Sequence, residues 1–237
     1  MDNEQLESIF VKAGEGYGYE RVRAEFFESM LLTVRWVRVV NEISFQVTDY
    51  LMDAPREAIE SLADTIFSRM FNDADKPYDE AFIRYVTSDN FVIEAQPVYL
   101  SRLEGASASP VGRCKDLRKS VRRLREKGLI KLEPHTYIGW LPMDSFDNVG
   151  NVSFLLRSVC INKRLDSCDF SDDMLDFCVY SQMKKLEQDI GDPKNNKMRL
   201  EESIERYPNN GVYMSELESI GLSIWSNGLE ERMSPEC

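Results

Sequence analysis

One segment of this sequence combines a possible nucleophile with possible bases. One serine and two lysines stand together in the segment Ser181-Gln182-Met183-Lys184-Lys185. A serine hydroxyl becomes a nucleophile when a neighbouring base takes its proton, and a lysine deprotonated by burial can be that base. The segment is compatible with a hydrolase that uses Ser181 with Lys184 or Lys185, and this hypothesis requires a reactive serine.

The sequence offers few ligands for a zinc ion. The chain has a single histidine, His135, so a zinc site with two or three imidazole ligands cannot be built from it. The cysteines are odd in number and lack the C-x-x-C spacing, which favours reduced thiols in a cytosol over a disulfide framework or a zinc knuckle. We therefore expect no metal and no cofactor. The cysteines are Cys114, Cys160, Cys168, Cys178 and Cys237.

One predicted helix must position the Ser181 segment. Ser171 is a good N-cap, and the aspartates after it favour the positive end of a helix dipole. Apolar residues then recur at helical spacing, and Gly191 with Pro193 predicts the end of the helix. A second helix is expected from about Lys197 to Arg206. The apolar face of the first helix comprises Leu175, Cys178, Val179 and Leu186.

Several segments resemble the SprT-like (Spartan-like) zinc metallopeptidase family. Residues 174–180, MLDFCVY, resemble the L-D-Y-V-V-Y that precedes the H-E-x-x-H metal motif of that family. Residues 161–165, INKRL, resemble a strand end of the family, and residues 200–208 resemble the segment after its third metal histidine. A helix from Cys114 that leads to Ile138-Gly139-Trp140 also has a family counterpart. The resemblance covers roughly residues 111–210.

The resemblance implies a zincin-type fold whose metal site has been lost. The two histidines of the family motif would fall at Ser181 and Lys185, its glutamate at Gln182, and its third histidine near Asn196. A serine hydroxyl is a poor zinc ligand, a lysine repels the cation, and a glutamine cannot take a proton from metal-bound water. The resemblance therefore implies a catalytically inactive homologue that acts by holding a protein or peptide partner, which the sequence does not identify.

Composition is typical of a folded, soluble chain. The 237 residues carry a formal net charge of −12, which argues against general binding to nucleic acid or to anionic membranes. Arg35, Arg38 and Glu42 interrupt the most apolar stretch, so no membrane-spanning helix is predicted, and the acidic N-terminus does not resemble a signal peptide. We expect a cytoplasmic protein.

The fold class predicted from the pattern is α+β. Residues 31–40 and 43–48 alternate as a β-hairpin, and a helix with an apolar stripe follows Asp53 and Pro55. A further helix is expected at 78–86 and an extended segment at 90–100. Beyond the helix that begins near Cys114, strands at 137–141 and 152–161 predict a small antiparallel sheet, followed by the Ser181 helix and a C-terminal helix.

Composition also suggests where domains begin and end. The small, polar segment GASASP at 105–110 is the best linker in the chain. We therefore predict an N-terminal α+β module at 1–108, a SprT-like domain at 111–210 and a C-terminal tail at 211–237, with a short helix at 214–220.

One basic helix offers an alternative function. Residues 113–131 contain most of the clustered positive charge of an otherwise acidic chain. Such a strip can be a solvated helix face that pairs with acidic neighbours, or it can neutralise phosphates of a nucleic acid. The candidate contact residues are Arg118, Lys119, Arg122, Arg123 and Arg125.

Overall fold

The computed structural model describes residues 1–71, 76–103, 109–141, 147–187 and 193–225. Contacts divide the described residues into two compact units, unit 1 over Met1–Phe91 and unit 2 over residues 92–225. The fold is α+β, as predicted, with helices packed on two small sheets. The predicted linker falls partly on residues 104–108, outside the described residues, so the domain limits stay predictions. Among the described residues, no helix is long and apolar enough to cross a membrane.

Unit 1 packs helices against one face of a three-stranded sheet. Its phenylalanines form the centre of the core, with Phe10 and Phe67 on helices and Phe45 between them on a strand. The predicted hairpin is confirmed as β2 (Val34–Val39) and β3 (Glu42–Thr48). The elements are α1 (Asn3–Gly14), β1 (Arg21–Phe27), β2 (Val34–Val39), β3 (Glu42–Thr48), α2 (Arg56–Phe71), α3 (Glu80–Val86) and the first residues of α4 (Asp89–Arg102).

The extended segment predicted at 90–100 is wrong, because these residues are helical in α4. Phe91, Val92, Ala95 and Tyr99 are all buried, and their spacing places them on one side of a helix. Pro97 suggested a strand edge, but it lies inside the helix. Burial of the apolar side therefore outweighs the hydrogen bond that a proline removes.

Unit 2 packs its long central helix against a second small sheet and against the other helices of the unit. The single strand predicted at 152–161 is wrong, because a turn around Arg157 divides it into two. The predicted antiparallel sheet is also wrong, since β4 (Tyr137–Leu141) runs parallel to β6 (Ser158–Asn162) and only β5 (Gly150–Ser153) is antiparallel to β6. The elements are α5 (Leu117–Glu126), β4 (Tyr137–Leu141), β5 (Gly150–Ser153), β6 (Ser158–Asn162), α6 (Asp172–Leu186), α7 (Pro193–Glu205) and α8 (Asn210–Ser219).

The two units share one topology. In each sheet the strand order is first, third, second, with the first strand parallel and the second antiparallel to the third. A helix precedes each sheet, and a 3₁₀ turn followed by a long helix comes after it. The preceding helix packs against the long one, α1 on α2 and α5 on α6. The chain therefore contains two copies of the same arrangement of elements.

Candidate functional site

The α6 helix that carries the Ser181 segment is buried on almost every side. Ser171 caps it as predicted, because its side chain accepts a hydrogen bond from the backbone N–H of Met174 at 3.0 Å. Every residue from Met174 to Met183 is buried, where sequence reasoning expected one apolar face. A helix that is buried all round is a core element. The position of the Ser181 segment is therefore set by packing.

Ser181 and Gln182 hydrogen-bond to each other and to their own helix. Both are fully buried. The Ser181 hydroxyl donates to the Cys178 carbonyl oxygen at 2.8 Å, and the Gln182 side-chain nitrogen donates to the Ser181 oxygen at 3.1 Å. Gln182 packs on β5, where a Cβ added to Gly150 would lie 3.3 Å from the Gln182 Cγ. Among the described residues, the Gln182 Oε1 atom has no hydrogen-bond partner.

This arrangement does not fit a zinc ion of the kind that the SprT-like metallopeptidase family binds. Zinc in such sites is held by imidazole, thiolate or carboxylate groups. Here the two inward positions are a hydroxyl whose proton is already donated and an amide, while Lys185 and Asn196 are only half-buried. In the described part of the chain, no group of three or more histidine, cysteine or acidic side chains could hold a metal ion.

Among the described residues, the Ser181 hydroxyl and the Lys184 ammonium form hydrogen bonds with other partners and none with each other. The Lys184 Nζ donates to both carboxylate oxygens of Glu187, at 2.8 and 2.9 Å. The Ser181 proton goes to a backbone carbonyl of the same helix, so no hydrogen bond to Lys184 activates it. His135 is exposed, and its carbonyl oxygen accepts a hydrogen bond from the Gln96 side chain at 2.9 Å.

A cavity of about 520 Å³ opens beside the C-terminal end of α6. This volume lies within the range of small-ligand sites. Its lining combines apolar side chains with charged side chains of both signs. The apolar set, called the floor below, comprises Leu129, Ile130, Phe154, Met183 and Leu186. The charged set, called the rim below, comprises Lys131, Glu133, Arg157, Lys184 and Glu187.

The α5 helix uses part of its positive charge internally. The Arg123 guanidinium makes two hydrogen bonds to the fully buried Asp176 carboxylate on α6, at 2.6 and 2.8 Å. Hydrogen bonding to Asp176 raises the pKa of Arg123. Arg118 bonds to Asp116, the N-cap of the same helix, and this hydrogen bond lowers the pKa of the Asp116 carboxyl. Two of the five predicted contact residues therefore already have carboxylate partners.

The other three candidates on α5 face solvent. Lys119, Arg122 and Arg125 are exposed. These residues lie on the side of the helix opposite its buried residues, which are Leu117, Val121 and Leu124. This exposed set is called the basic face below. It leaves three cations that could approach a phosphate backbone without breaking an intramolecular ion pair of the structure.

The loop before α5 is fastened to the loop before α6. Cys114 forms a disulfide with Cys168, so the prediction that these two thiols are reduced is wrong. Asp166 brings the two loops together, because its carboxylate accepts backbone hydrogen bonds from Arg113, Cys114 and Lys115 at 2.6, 2.9 and 2.9 Å. Burial alone would raise the pKa of Asp166, but these three hydrogen bonds outweigh it and the pKa is lowered.

Two other cysteines are unavailable for chemistry. Cys160 and Cys178 are free and buried. Burial raises the pKa of the Cys160 thiol to about 12, and burial also raises that of Cys178. Because the thiolate is the reactive form, both remain unreactive near neutral pH.

Comparison with known proteins identifies no relative of this chain. It matches no family model, no curated protein and no solved structure. The resemblance to SprT-like peptidases therefore rests on the sequence segments quoted above. What the chain does must be inferred from its own geometry.

Proposed function

We propose that this chain is a non-catalytic protein that holds polypeptides, built on the scaffold of a SprT-like metallopeptidase. The observation that supports this proposal most is the state of Ser181 and Gln182. Both are fully buried and hydrogen-bonded within α6, at the positions where the family would hold and activate zinc-bound water. Substitution of those positions leaves a packed helix without the groups that hydrolysis by a metal requires.

The cavity beside α6 is the proposed holding site. Its apolar floor suits a hydrophobic side chain of a bound polypeptide, and its charged rim can hydrogen-bond to the backbone on either side. Phe154 is half-buried in this floor, so it can contact a ligand and its loss need not unfold the chain.

One assay separates holding from cutting. Fluorescein-labelled casein, an unfolded polypeptide, is mixed with the protein and its fluorescence anisotropy is followed over time. We expect the anisotropy to rise and then stay constant, with no effect of zinc or of a chelator. A steady fall that a chelator prevents would identify a zinc peptidase and refute the proposal.

Matched variants test the site itself. Phe154→Lys places a charge in the cavity floor and should abolish the rise in anisotropy. Met198→Lys changes an exposed apolar residue on α7, outside the cavity, and should leave it unchanged. Equal effects of both substitutions would show that the cavity is not the site.

The basic face of α5 supports a second candidate function, binding of nucleic acid. Three exposed cations are retained there after the ion pairs of Arg118 and Arg123 are formed. Neutralising three phosphates of duplex DNA predicts a slope of roughly −2.7 for the logarithm of the association constant against the logarithm of the salt concentration. A gel-shift titration measures this slope, and absence of binding at low salt would eliminate this candidate.

A further inference from the structure

The sheet of unit 1 has one covered edge and one open edge. On β1, the backbone N–H of Phe26 donates to the Asn3 side chain at 2.8 Å, and that of Ala24 lies 3.4 Å from the Glu7 carboxylate. Side chains of α1 therefore cover the β1 edge. The opposite edge is β2, because the strand order is β1-β3-β2.

The outward backbone groups of β2 can be identified from its pairing with β3. Thr48 donates its N–H to the Thr33 carbonyl, so these two residues form a hydrogen-bonded pair just before the strand. Such pairs alternate along an antiparallel ladder. The register then directs the N–H and C=O groups of Val34, Trp36 and Arg38 away from β3. No described residue forms a hydrogen bond with these outward groups.

The end of this edge also exposes apolar side chains. Val37, Val39 and Val40 are 67%, 63% and 80% exposed. An edge strand with free backbone groups and exposed β-branched residues is a template for a further strand. The corresponding region of unit 2 is covered by the chain itself, because Ser223 exchanges backbone hydrogen bonds with Asp147 and Val149 beside the start of β5.

The charges on β2 indicate which strand would be accepted. Arg35 and Arg38 are exposed, and β2 has no carboxylate, although the chain as a whole has a net charge of −12. Two copies joined at β2 would place four arginines along one seam, two on each face of the sheet, and would also repel each other through their net charge. An extended segment with carboxylates would instead find opposite charges at the open edge.

We propose that the β2 edge binds an extended, acidic segment of a partner polypeptide as an additional strand of the sheet. Backbone hydrogen bonds to Trp36 and Arg38 provide the pairing, the exposed valines contact apolar side chains of the segment, and the arginines select for carboxylates. This inference agrees with the proposed holding function but uses a surface of unit 1, not the cavity beside α6.

The direct test uses a fluorescein-labelled peptide of about eight residues, the length of an ordinary strand, that alternates valine and glutamate. A second peptide replaces glutamate with lysine. We expect fluorescence anisotropy to detect binding of the first peptide and about tenfold weaker binding of the second, with the difference decreasing as salt is added. Hydrogen exchange should slow at the amides of Trp36 and Arg38 when the acidic peptide binds.

Two substitutions at one position separate the backbone from the charge. Arg38→Pro removes an outward N–H and leaves the ladder to β3 intact, because that N–H does not pair with β3. We expect it to weaken binding about tenfold, the effect of losing one such bond and the charge together. Arg38→Ala keeps the N–H but removes the charge and its contacts with the Tyr19 and Phe71 rings, and it should weaken binding a few-fold, less at high salt. Circular dichroism and thermal unfolding confirm that each variant is folded.

A third variant keeps the inference testable if Arg38→Pro does not fold. Val37→Glu changes an exposed side chain on the outer face of β2 and should weaken binding of the acidic peptide by repulsion. The proposal is overturned if neither peptide binds, if the folded variants bind as well as the wild type, or if sedimentation shows a dimer that competes with the peptide. Phe154→Lys should leave this binding unchanged, so failure here is distinguishable from failure of the casein assay.

Discussion

Replacement of Arg123 by alanine should destabilise unit 2 strongly, and the size of the effect follows from the contacts of Asp176. This carboxylate has no exposed surface, and its two hydrogen bonds from Arg123 measure 2.6 and 2.8 Å. Arg123→Ala leaves a buried carboxylate without its cation. Breaking a buried ion pair from one side costs about 3–5 kcal/mol, so we expect a loss of roughly that size.

Neighbouring residues provide the controls. Arg122 is exposed on the same helix, so Arg122→Ala should change the free energy of unfolding by less than about 0.5 kcal/mol. Removal of both charges, with Arg123→Met and Asp176→Leu together, should restore most of the stability because no unpaired charge is then buried. This recovery distinguishes an ion-pair effect from a general effect of shortening the arginine.

Urea unfolding followed by tryptophan fluorescence measures these differences. Trp140, which is buried, and Trp225, which is partly exposed, lie in unit 2 and report on it. Trp36 belongs to unit 1 and is replaced by phenylalanine in every variant. A loss below about 1 kcal/mol for Arg123→Ala, or no recovery in the double variant, would refute the structural role assigned to this arginine. In that case Arg123 would return to the set of residues available for phosphate contacts.

Four further predictions concern the residues around the disulfide and the α6 core. Gln182→Met removes a buried amide with an unpaired oxygen and should stabilise the chain by about 1 kcal/mol in urea unfolding. Cys114→Ser removes a disulfide to Cys168 across a separation of 54 residues and should cost up to about 4 kcal/mol, measured the same way without reductant. Gly112→Ala should cost about 1–3 kcal/mol, because the new Cβ would lie 2.4 Å from the Asp166 carboxylate. The pKa of the Asp166 carboxyl is lowered in the folded chain, so its contribution to the free energy of unfolding is present above the ordinary value of 3.8 and is lost as the pH falls through the folded pKa. Asp166→Asn should therefore lose less stability than the wild type when the pH falls from about 5 to about 3.

Each of these predictions has a result that contradicts it. Destabilisation by Gln182→Met would mean that the amide oxygen has a partner in solution. Equal stability of Cys114→Ser and the wild type without reductant, together with no effect of reductant on the wild type, would show that the disulfide does not form. Gly16→Ala is the control for Gly112→Ala, since a Cβ at Gly16 would contact nothing within 4 Å. The disulfide also predicts that alkylation near neutral pH labels Cys114 and Cys168 only after reduction, and never Cys160 in the folded chain.

The elements that depend on local signals could be predicted from the sequence. Alternation of apolar and polar residues located the β2–β3 hairpin, and the Ser171 cap located the start of α6. The strand pairing of unit 2 could not be predicted, because adjacent strands in a sequence give no sign that β4 pairs in parallel with β6. The shared topology of the two units became visible from the strand order.

Features that depend on distant residues were missed for the same reason. Asp166 and Asp176 look like surface aspartates in the sequence, and only the fold brings them to backbone amides and to Arg123. The pairing of Cys114 with Cys168 likewise cannot be deduced from spacing alone. The signal available for Asp176 was its position in the apolar run of α6, since a charged residue that is buried needs a partner.

Zinc content is the measurement that tests the central claim most directly. The purified chain is incubated with excess zinc, dialysed and analysed for bound metal, with Ser181→Ala measured in parallel. Because a buried serine stands at a metal-ligand position of the family, the chain should retain far less than one zinc per molecule, and Ser181→Ala should not change this value. One zinc per chain that is lost in Ser181→Ala would contradict the account, because it would place a metal where the structure has only packed, hydrogen-bonded side chains.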